Sequence, residues 1–470
     1  EHARRAASPG RAEWAILAAG LSVAVALPAG VILSVLPSPG YPAQAFDATF
    51  HLNAVAAIRE GGNASLLGGL SAPYSGRAVY YPTVWHGVVA LAPGSPAPVS
   101  TAGVLALTAV VWPLSLLGLL ARATGLDATR ASEMDRVRRR QRACAVAAVL
   151  ALSAAVVGFP LLPMTALAVW PYALSVAGLP GVLVLYDQLR QETASWRLRL
   201  TLVLLTLAAA GGVVAAHGPG LFNLAVRSPP FLVNLLVSRW RRCAARRGGR
   251  ALLVAGAVAS VLVLVVGAWV MRASLASVLG YQRPAGGVGG IVATLGQALI
   301  DLPMYGAVPG ASVPVGIVFG GLTLGAAWSA RAQRDQRPWL VMWLLSLLLV
   351  VLVGGPQWAG RQLGAPWYLQ KARILPLVIL PALVLMVQAG AGRPGRRLWG
   401  LLRRLASRVG GGRPQRAAAA MLAALVLLPV AARVPLERNL VASVSDPPRI
   451  KYGTLLNEAA PAPLARRLLY

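Results

Sequence analysis

The stretch from Tyr41 to His86, YPAQAFDATFHLNAVAAIREGGNASLLGGLSAPYSGRAVYYPTVWH, lies between two long apolar segments and decides how the chain is read. Its Asp47 is one of only 14 Asp and Glu residues in 470. A carboxylate beside an apolar run of span length is costly to desolvate, so it needs a partner or a task. FDATFHLNAVAAIRE has the amphipathic pattern of a helix, with Phe46, Phe50 and Val55 available to an apolar phase, and is expected to lie along a membrane surface. In such a helix Asp47 and His51, four residues apart, share one face. Tyr80, Tyr81, Pro82 and His86 close the stretch just before the chain turns apolar again. One acid and two imidazoles are thereby brought towards a single membrane side.

The rest of the sequence supplies the membrane. The chain is 57% hydrophobic and 12% charged, with a mean hydropathy of +0.65, well outside the range of a soluble domain. The expected fold is an all-α polytopic bundle of about eleven spans, near 14–36, 99–121, 143–160, 164–186, 200–216, 220–238, 251–271, 306–329, 338–354, 374–390 and 417–434. A net charge of +30, from 44 Lys and Arg, could suggest nucleic acid. The placement of the arginines excludes that reading: about thirty of them fall in the alternate segments 1–13, 122–142, 187–199, 239–250, 330–337 and 391–416, as the positive-inside rule requires of cytoplasmic loops. The N-terminus is therefore expected in the cytoplasm and the C-terminus outside. The basic start EHARRAASPGRAEW precedes an apolar run too long for a signal peptide, so an uncleaved first span in the cytoplasmic membrane is expected. On this scheme residues 1–434 form the membrane domain, with a long first outer loop at 37–98, and 435–470 begin an extracytoplasmic segment. Cys144 and Cys243 each adjoin an arginine-rich inner loop, which argues against a disulfide.

Function is expected on the outer side. Asp47, in an aromatic setting (Tyr41, Phe46, Phe50), suits a general base whose pKa burial raises, while a helix N-terminal acid favouring the macrodipole is the plain alternative. Asp301 is a second candidate carboxylate or merely a loop acid. His51, His86 and His217 fall at outer span ends and suit proton transfer or substrate contact, or act as hydrogen-bonded interfacial histidines. They lack metal-ligand spacing with Asp47, and a hard divalent cation, Mg²⁺ or Mn²⁺, held by Asp47 and substrate phosphates is an alternative of at least equal standing. Arg272, Arg361, Lys371 and Arg373 are basic residues where basic residues are scarce, and could grip a phosphate. Beside Trp358, Trp367 and Tyr368 they could equally snorkel in an aromatic belt. HGPGLFN from His217 reads as a turn between spans.

The order of these features, with Asp47, Gly62-Asn63 and Tyr81-Pro82 between the first two spans, resembles the GT-C superfamily of membrane glycosyltransferases. FDATFHLNAVAAIREGGNAS, YYPTVWHGVVAL, HGPGLFNLAV and PWYLQKARI resemble more closely a family of large, uncharacterised actinobacterial membrane proteins, over most of the chain. In that family's pattern Pro-Trp-Tyr is followed by Asn-Asp and then Arg; here Leu369 and Gln370 stand in place of the first two and Arg373 remains. The resemblance implies a polyprenyl-phosphate-linked sugar donor, an envelope glycan, lipid or protein acceptor, and transfer on the outer face of the membrane. It also implies that an acid in the first outer loop, at the position of Asp47, activates the acceptor hydroxyl or holds a divalent ion. From their place on the outer side, His51 is expected to work beside it, and Tyr81, His86, His217, Trp367, Tyr368, Lys371, Arg373, Arg361 and Arg272 are expected around the substrate. A transporter or flippase of a lipid-linked precursor is the competing class, and would place polar groups at mid-membrane on broken helices.

Overall fold

The computed structural model describes residues 10–126, 136–191, 195–230, 233, 240, 248–270, 272–304, 308–408 and 414–445. Cys243, the middle of the inner segment 122–142, most of 239–250, most of the second half of the expected span 220–238 and the tail from Asp446 lie outside these residues. The helices in the first half are α1 (Arg11–Val35), α2 (Phe46–Gly61), α3 (Val84–Ala90), α4 (Pro96–Thr124), α5 (Arg136–Ser153), α6 (Trp170–Gln191), α7 (Trp196–Ala216) and α8 (Gly220–Arg227). Those in the second half are α9 (Gly249–Val270), α10 (Arg272–Leu279), α11 (Gly289–Leu299), α12 (Ser312–Ala330), α13 (Arg337–Gly354), α14 (Lys371–Ala391), α15 (Arg393–Arg408) and α16 (Pro414–Ala442). Among the described residues the fold is helical, with one isolated bridge between Leu67 and Tyr80.

Among the described residues eight helices are long and apolar enough to cross a membrane: α1, α4, α6, α7, α12, α13, α14 and α16. A ninth crossing results if α5 and the segment Val157–Met164, bent by 51°, count as one. The expected span 143–160 thus falls on a broken crossing. Pro160 and Pro163 remove amide donors there, so the ladder cannot continue unbroken. α9 occupies the expected span 251–271. α16 runs past the expected end at 434, so the boundary at 434/435 falls inside a helix. Pro435 itself is exposed, and just beyond it Leu436 and Leu440 turn inward onto Val157, Leu162 and Ala372.

α14 is the central helix, buried along most of its length. Close approach onto it depends on Gly158, where a Cβ would lie 2.5 Å from Ile379 Cδ1. At Gly20 a Cβ would lie 2.5 Å from the Ala147 carbonyl oxygen, so α1 and α5 pack backbone to backbone as small residues permit in membranes.

The two ends of the bundle are chemically distinct. At one, Arg122 Nε donates to Asp187 Oδ2 at 2.7 Å, Gln388 Nε2 to the Ala123 carbonyl at 3.4 Å, Arg142 to the Thr124 carbonyl, and Gln141 Nε2 to the carbonyls of Gly390, Ala391 and Gly392. These segments were all expected on the inner side. α2, α3 and the 354–373 connection gather at the opposite end. α2 forms as expected but faces differently: Val55 is fully buried and Phe50 half-buried against Tyr81, which leaves Phe46, 82% exposed, as the outward ring. The reason is its small residues. Ala48 and Ala54, fully buried, let this helix dock on the bundle instead of lying on a surface by that face.

Candidate active site

Two chain segments 326 residues apart meet at Asp47 and Arg373. Asp47 occupies the first turn of α2, where the helix dipole favours a carboxylate. Arg373 occupies the first turn of α14, after a turn in which Tyr368 and Leu369 both adopt left-handed backbone, φ 56° and 49°. That turn carries Gln370 back towards Arg373. Arg373 Nε donates to Gln370 Oε1 at 2.7 Å, its Nη2 reaches Asp47 Oδ2 at 3.3 Å, and its guanidinium lies 4.7 Å from the centre of the Tyr368 ring. The Tyr172 hydroxyl donates to the Arg373 carbonyl. Arg373 is therefore held on several sides, whereas the Asp47 side chain keeps 37% of its surface open. Partial burial raises the Asp47 pKa, and Arg373 pulls it back. A carboxylate steadied by a fixed cation and still open to solvent can accept a proton from a hydroxyl.

An aromatic wall stands behind it. Phe50 lies 4.9 Å from Tyr81, and Tyr81 5.7 Å from His86, between ring centres. Burial, together with Tyr74 and Asp47, pushes Tyr81 above the usual tyrosine range, so it stays a neutral phenol. His51 Nδ1 and His86 Nε2 share a hydrogen bond of 2.9 Å, and Trp170 lies 5.4 Å from the His51 ring. Burial holds all three imidazoles neutral: His51 well below its usual value, His86 at about 4 and His217 at about 3. His51, expected to work beside Asp47, is 5% exposed and turned into the bundle. Its geometry is that of a support for α2. His217 sits edge-on to Tyr172, whose hydroxyl holds Arg373.

The remaining expected substrate contacts divide. Arg361, 2% exposed, donates to the carbonyls of Val353 at 3.1 Å, Arg283 at 2.7 Å and Pro284 at 2.8 Å, and to Gln357 Oε1 at 3.1 Å. It fastens the 283–284 loop and lines the same cavity as Lys371. Trp367 is buried and donates to Asn223 Oδ1 at 2.8 Å. Arg272 lies over the Trp269 ring at 4.7 Å and donates to its carbonyl at 3.3 Å, the snorkelling arrangement weighed against substrate contact. Lys371 Nζ reaches Thr294 Oγ1 at 3.4 Å and lines a cavity of about 230 Å³ together with Arg283, Gly286, Gly354 and Gln370. Gln370 belongs both to this cavity and to the Arg373 cluster. The sequence reading missed Gln370, Trp170, Tyr172 and Asn223. Asn223 had a signal, as the one amide in HGPGLFN, and Gln370 had one as a polar side chain between Leu369 and Lys371.

Among the described residues no three His, Cys, Asp or Glu side chains converge on a point. Asp47 faces a guanidinium, and the neighbouring imidazoles bond to each other. Among the described residues there is thus no protein-built metal centre.

A family model described as "Family of unknown function (DUF6541)" matches residues 1–466. No curated protein matches the sequence. Among solved structures the fold is similar to an archaeal oligosaccharyltransferase, AglB from Archaeoglobus fulgidus, in complex with an inhibitory peptide and a dolichol-phosphate. The TM-score is 0.55 at 12% sequence identity, over 96% of this chain and 58% of that one. The chain thus spans less than two thirds of that protein's length, and the likeness is one of fold.

Proposed function

The chain belongs to the DUF6541 family of unknown function, and we propose that it is a membrane glycosyltransferase that moves a sugar from a polyprenyl-phosphate donor to an envelope glycan, lipid or protein acceptor. The observation that carries this reading is Asp47, open to solvent at one end of a GT-C-like bundle and fixed beside Arg373, with the cavity of Arg283, Lys371 and Gln370 adjoining. Asp47 takes the proton of the acceptor hydroxyl, whose oxygen bonds to the anomeric carbon as the bond from that carbon to the phosphate oxygen breaks. Polyprenyl phosphate leaves. Arg373 serves the donor phosphate and Asp47 together, and Lys371 with Arg283 supplies positive charge where the leaving phosphate gains negative charge. Tyr81, Tyr368 and the half-open aromatic wall shape the acceptor side, while His51, His86, His217 and Trp367 hold the wall in place.

The test is transfer of labelled sugar from a panel of polyprenyl-phosphate donors by membranes carrying the chain, compared with membranes lacking it. Glu437, buried in α16 and without a hydrogen-bond partner among the described residues, favours a transporter or flippase as the second reading. Transbilayer movement of a lipid-linked precursor with no sugar transfer would select that reading. Arg373→Gln is expected to raise the donor KM about tenfold, the worth of about 1.4 kcal/mol of phosphate contact. The same variant removes the cation that lowers the Asp47 pKa, so the acid limb of the rate profile should move to higher pH. An unchanged KM and an unmoved limb would take Arg373 out of the site.

The Asp47 end is proposed to face outward and α15 the cytoplasm, with the cytoplasmic membrane as the location, on the strength of the arginine distribution. Single cysteines at Ser75 and Ser407, both exposed, should then label with impermeant maleimide from opposite sides of the membrane. Labelling of both from one side would overturn the topology.

A further inference from the structure

Between two membrane-spanning helices, α14 and α16, the chain forms α15, Arg393–Arg408, with the sequence RPGRRLWGLLRRLASR. It holds six arginines and no acid, and all six are exposed. At about 100° per residue its apolar side chains occupy one continuous arc of about 160°, with every arginine in the remainder. That arc is used in two ways. Leu402 and Ala406, with Trp399, pack on Ala417, Ala418, Met421 and Leu422 of α16. Leu398, Leu401 and Leu405, at i, i+3 and i+7, are 42%, 46% and 41% exposed. This uncovered leucine strip is bordered on its free side by Arg397, Arg404 and Arg408.

The geometry points to α15 as a docking surface for anionic phospholipid, its leucine strip in the acyl boundary and its arginines on the headgroups. Three facts select a lipid leaflet over another occupant. α15 joins the ends of two spanning helices, which puts its strip at the level where an apolar phase begins. Its charge is of one sign, and the complementary partner is a surface of like negative charges. The strip is narrow and flanked lengthwise by arginines, as in helices that lie in an interface, whereas a protein partner would meet a broader apolar face.

Fluorophore-labelled single cysteines at Leu401 and Ser407 test this, in the full chain with Cys144→Ala and Cys243→Ala, reconstituted in phosphatidylcholine vesicles containing equal fractions of brominated phosphatidylcholine or brominated phosphatidylglycerol. The Leu401 label should be quenched by brominated lipid and shielded from aqueous acrylamide, and the Ser407 label should show the reverse. Brominated phosphatidylglycerol should quench the Leu401 label about fivefold more effectively than the choline lipid, the worth of one arginine near an anionic surface. Arg397→Gln with Arg404→Gln and Arg408→Gln should bring that ratio close to one while leaving the lipid contact of Leu401 in place. Equal quenching by both lipids in the parent chain overturns the anionic preference. Acrylamide access at Leu401 overturns the docking itself, as does shielding from both lipid and acrylamide, which would mean that protein covers the strip.

Discussion

The Asp47→Asn variant is expected to fold like the parent and to transfer sugar at least about 100-fold more slowly, the usual minimum for loss of a general base. Asparagine keeps the volume and one acceptor oxygen, and Arg373 keeps its contacts with Gln370 and the Tyr368 ring. Only the capacity to take a proton is removed. Transfer by the parent should also fall as pH drops through the Asp47 pKa, because the base works ionised. Partial burial raises that pKa, so the acid limb should lie at higher pH than an ordinary aspartate would give. Both effects are read from initial rates at matched abundance of each variant in membranes. Transfer by Asp47→Asn at the parental rate would remove this carboxylate from the chemistry.

Asp47 was legible because acids are so scarce in this sequence that one beside a span stands out. The side on which Tyr81, His86, His217, Tyr368 and Arg373 would fall was legible for the same kind of reason, since the arginine distribution sorts the connections into two sets. What the sequence withheld was facing and distance. Asp47 and His51 share a helix as their spacing implies, yet one is half open and the other is buried on His86. The 3.6-residue period puts both on one side of the helix but says nothing of where the bundle's surface cuts across that side. Val55 shows the same limit: an amphipathic pattern distinguishes apolar from polar and cannot distinguish lipid from protein in a membrane.

Gln370 illustrates a different loss. Its importance comes from the left-handed turn at Tyr368 and Leu369, a conformation that propensity assigns to glycine or asparagine and that tertiary packing imposes here on a buried leucine. The resemblance noted for PWYLQKARI marks Leu369 as standing where that family's pattern has Asn, a residue suited to such backbone. Arg361, Arg272 and Trp367 were chosen by side and type alone, and the structure engages each with its own chain.

Asp301 was weighed as a second candidate carboxylate or a loop acid, and its partners lie 143 and 144 residues away, beyond any local pattern. Its side chain accepts from the Val157 amide at 2.8 Å and the Gly158 amide at 3.1 Å, the two donors exposed where the broken crossing restarts. Arg433 donates to the Asp301 and Ile300 carbonyls, each at 2.9 Å, and so holds the clasp from the other side. Asp301→Ala strips two buried amides of their acceptor, at about 1–3 kcal/mol each, and is expected to destabilise the fold by about 3–5 kcal/mol. Alanine is also strained at φ 48°, so Asp301→Gly is the decisive control: it fits that backbone but restores no acceptor. Glycine should remain destabilised by most of the same amount, whereas Asp301→Asn, with one acceptor oxygen, should recover about half of it. The consequence should reach the site, because Met164 at the end of this segment accepts the Trp170 indole N–H at 2.9 Å and Trp170 packs on His51 beneath Asp47. Unfolding midpoints in SDS titrations of the purified protein measure the stability, and the clasp is refuted if Asp301→Gly unfolds at the parental midpoint.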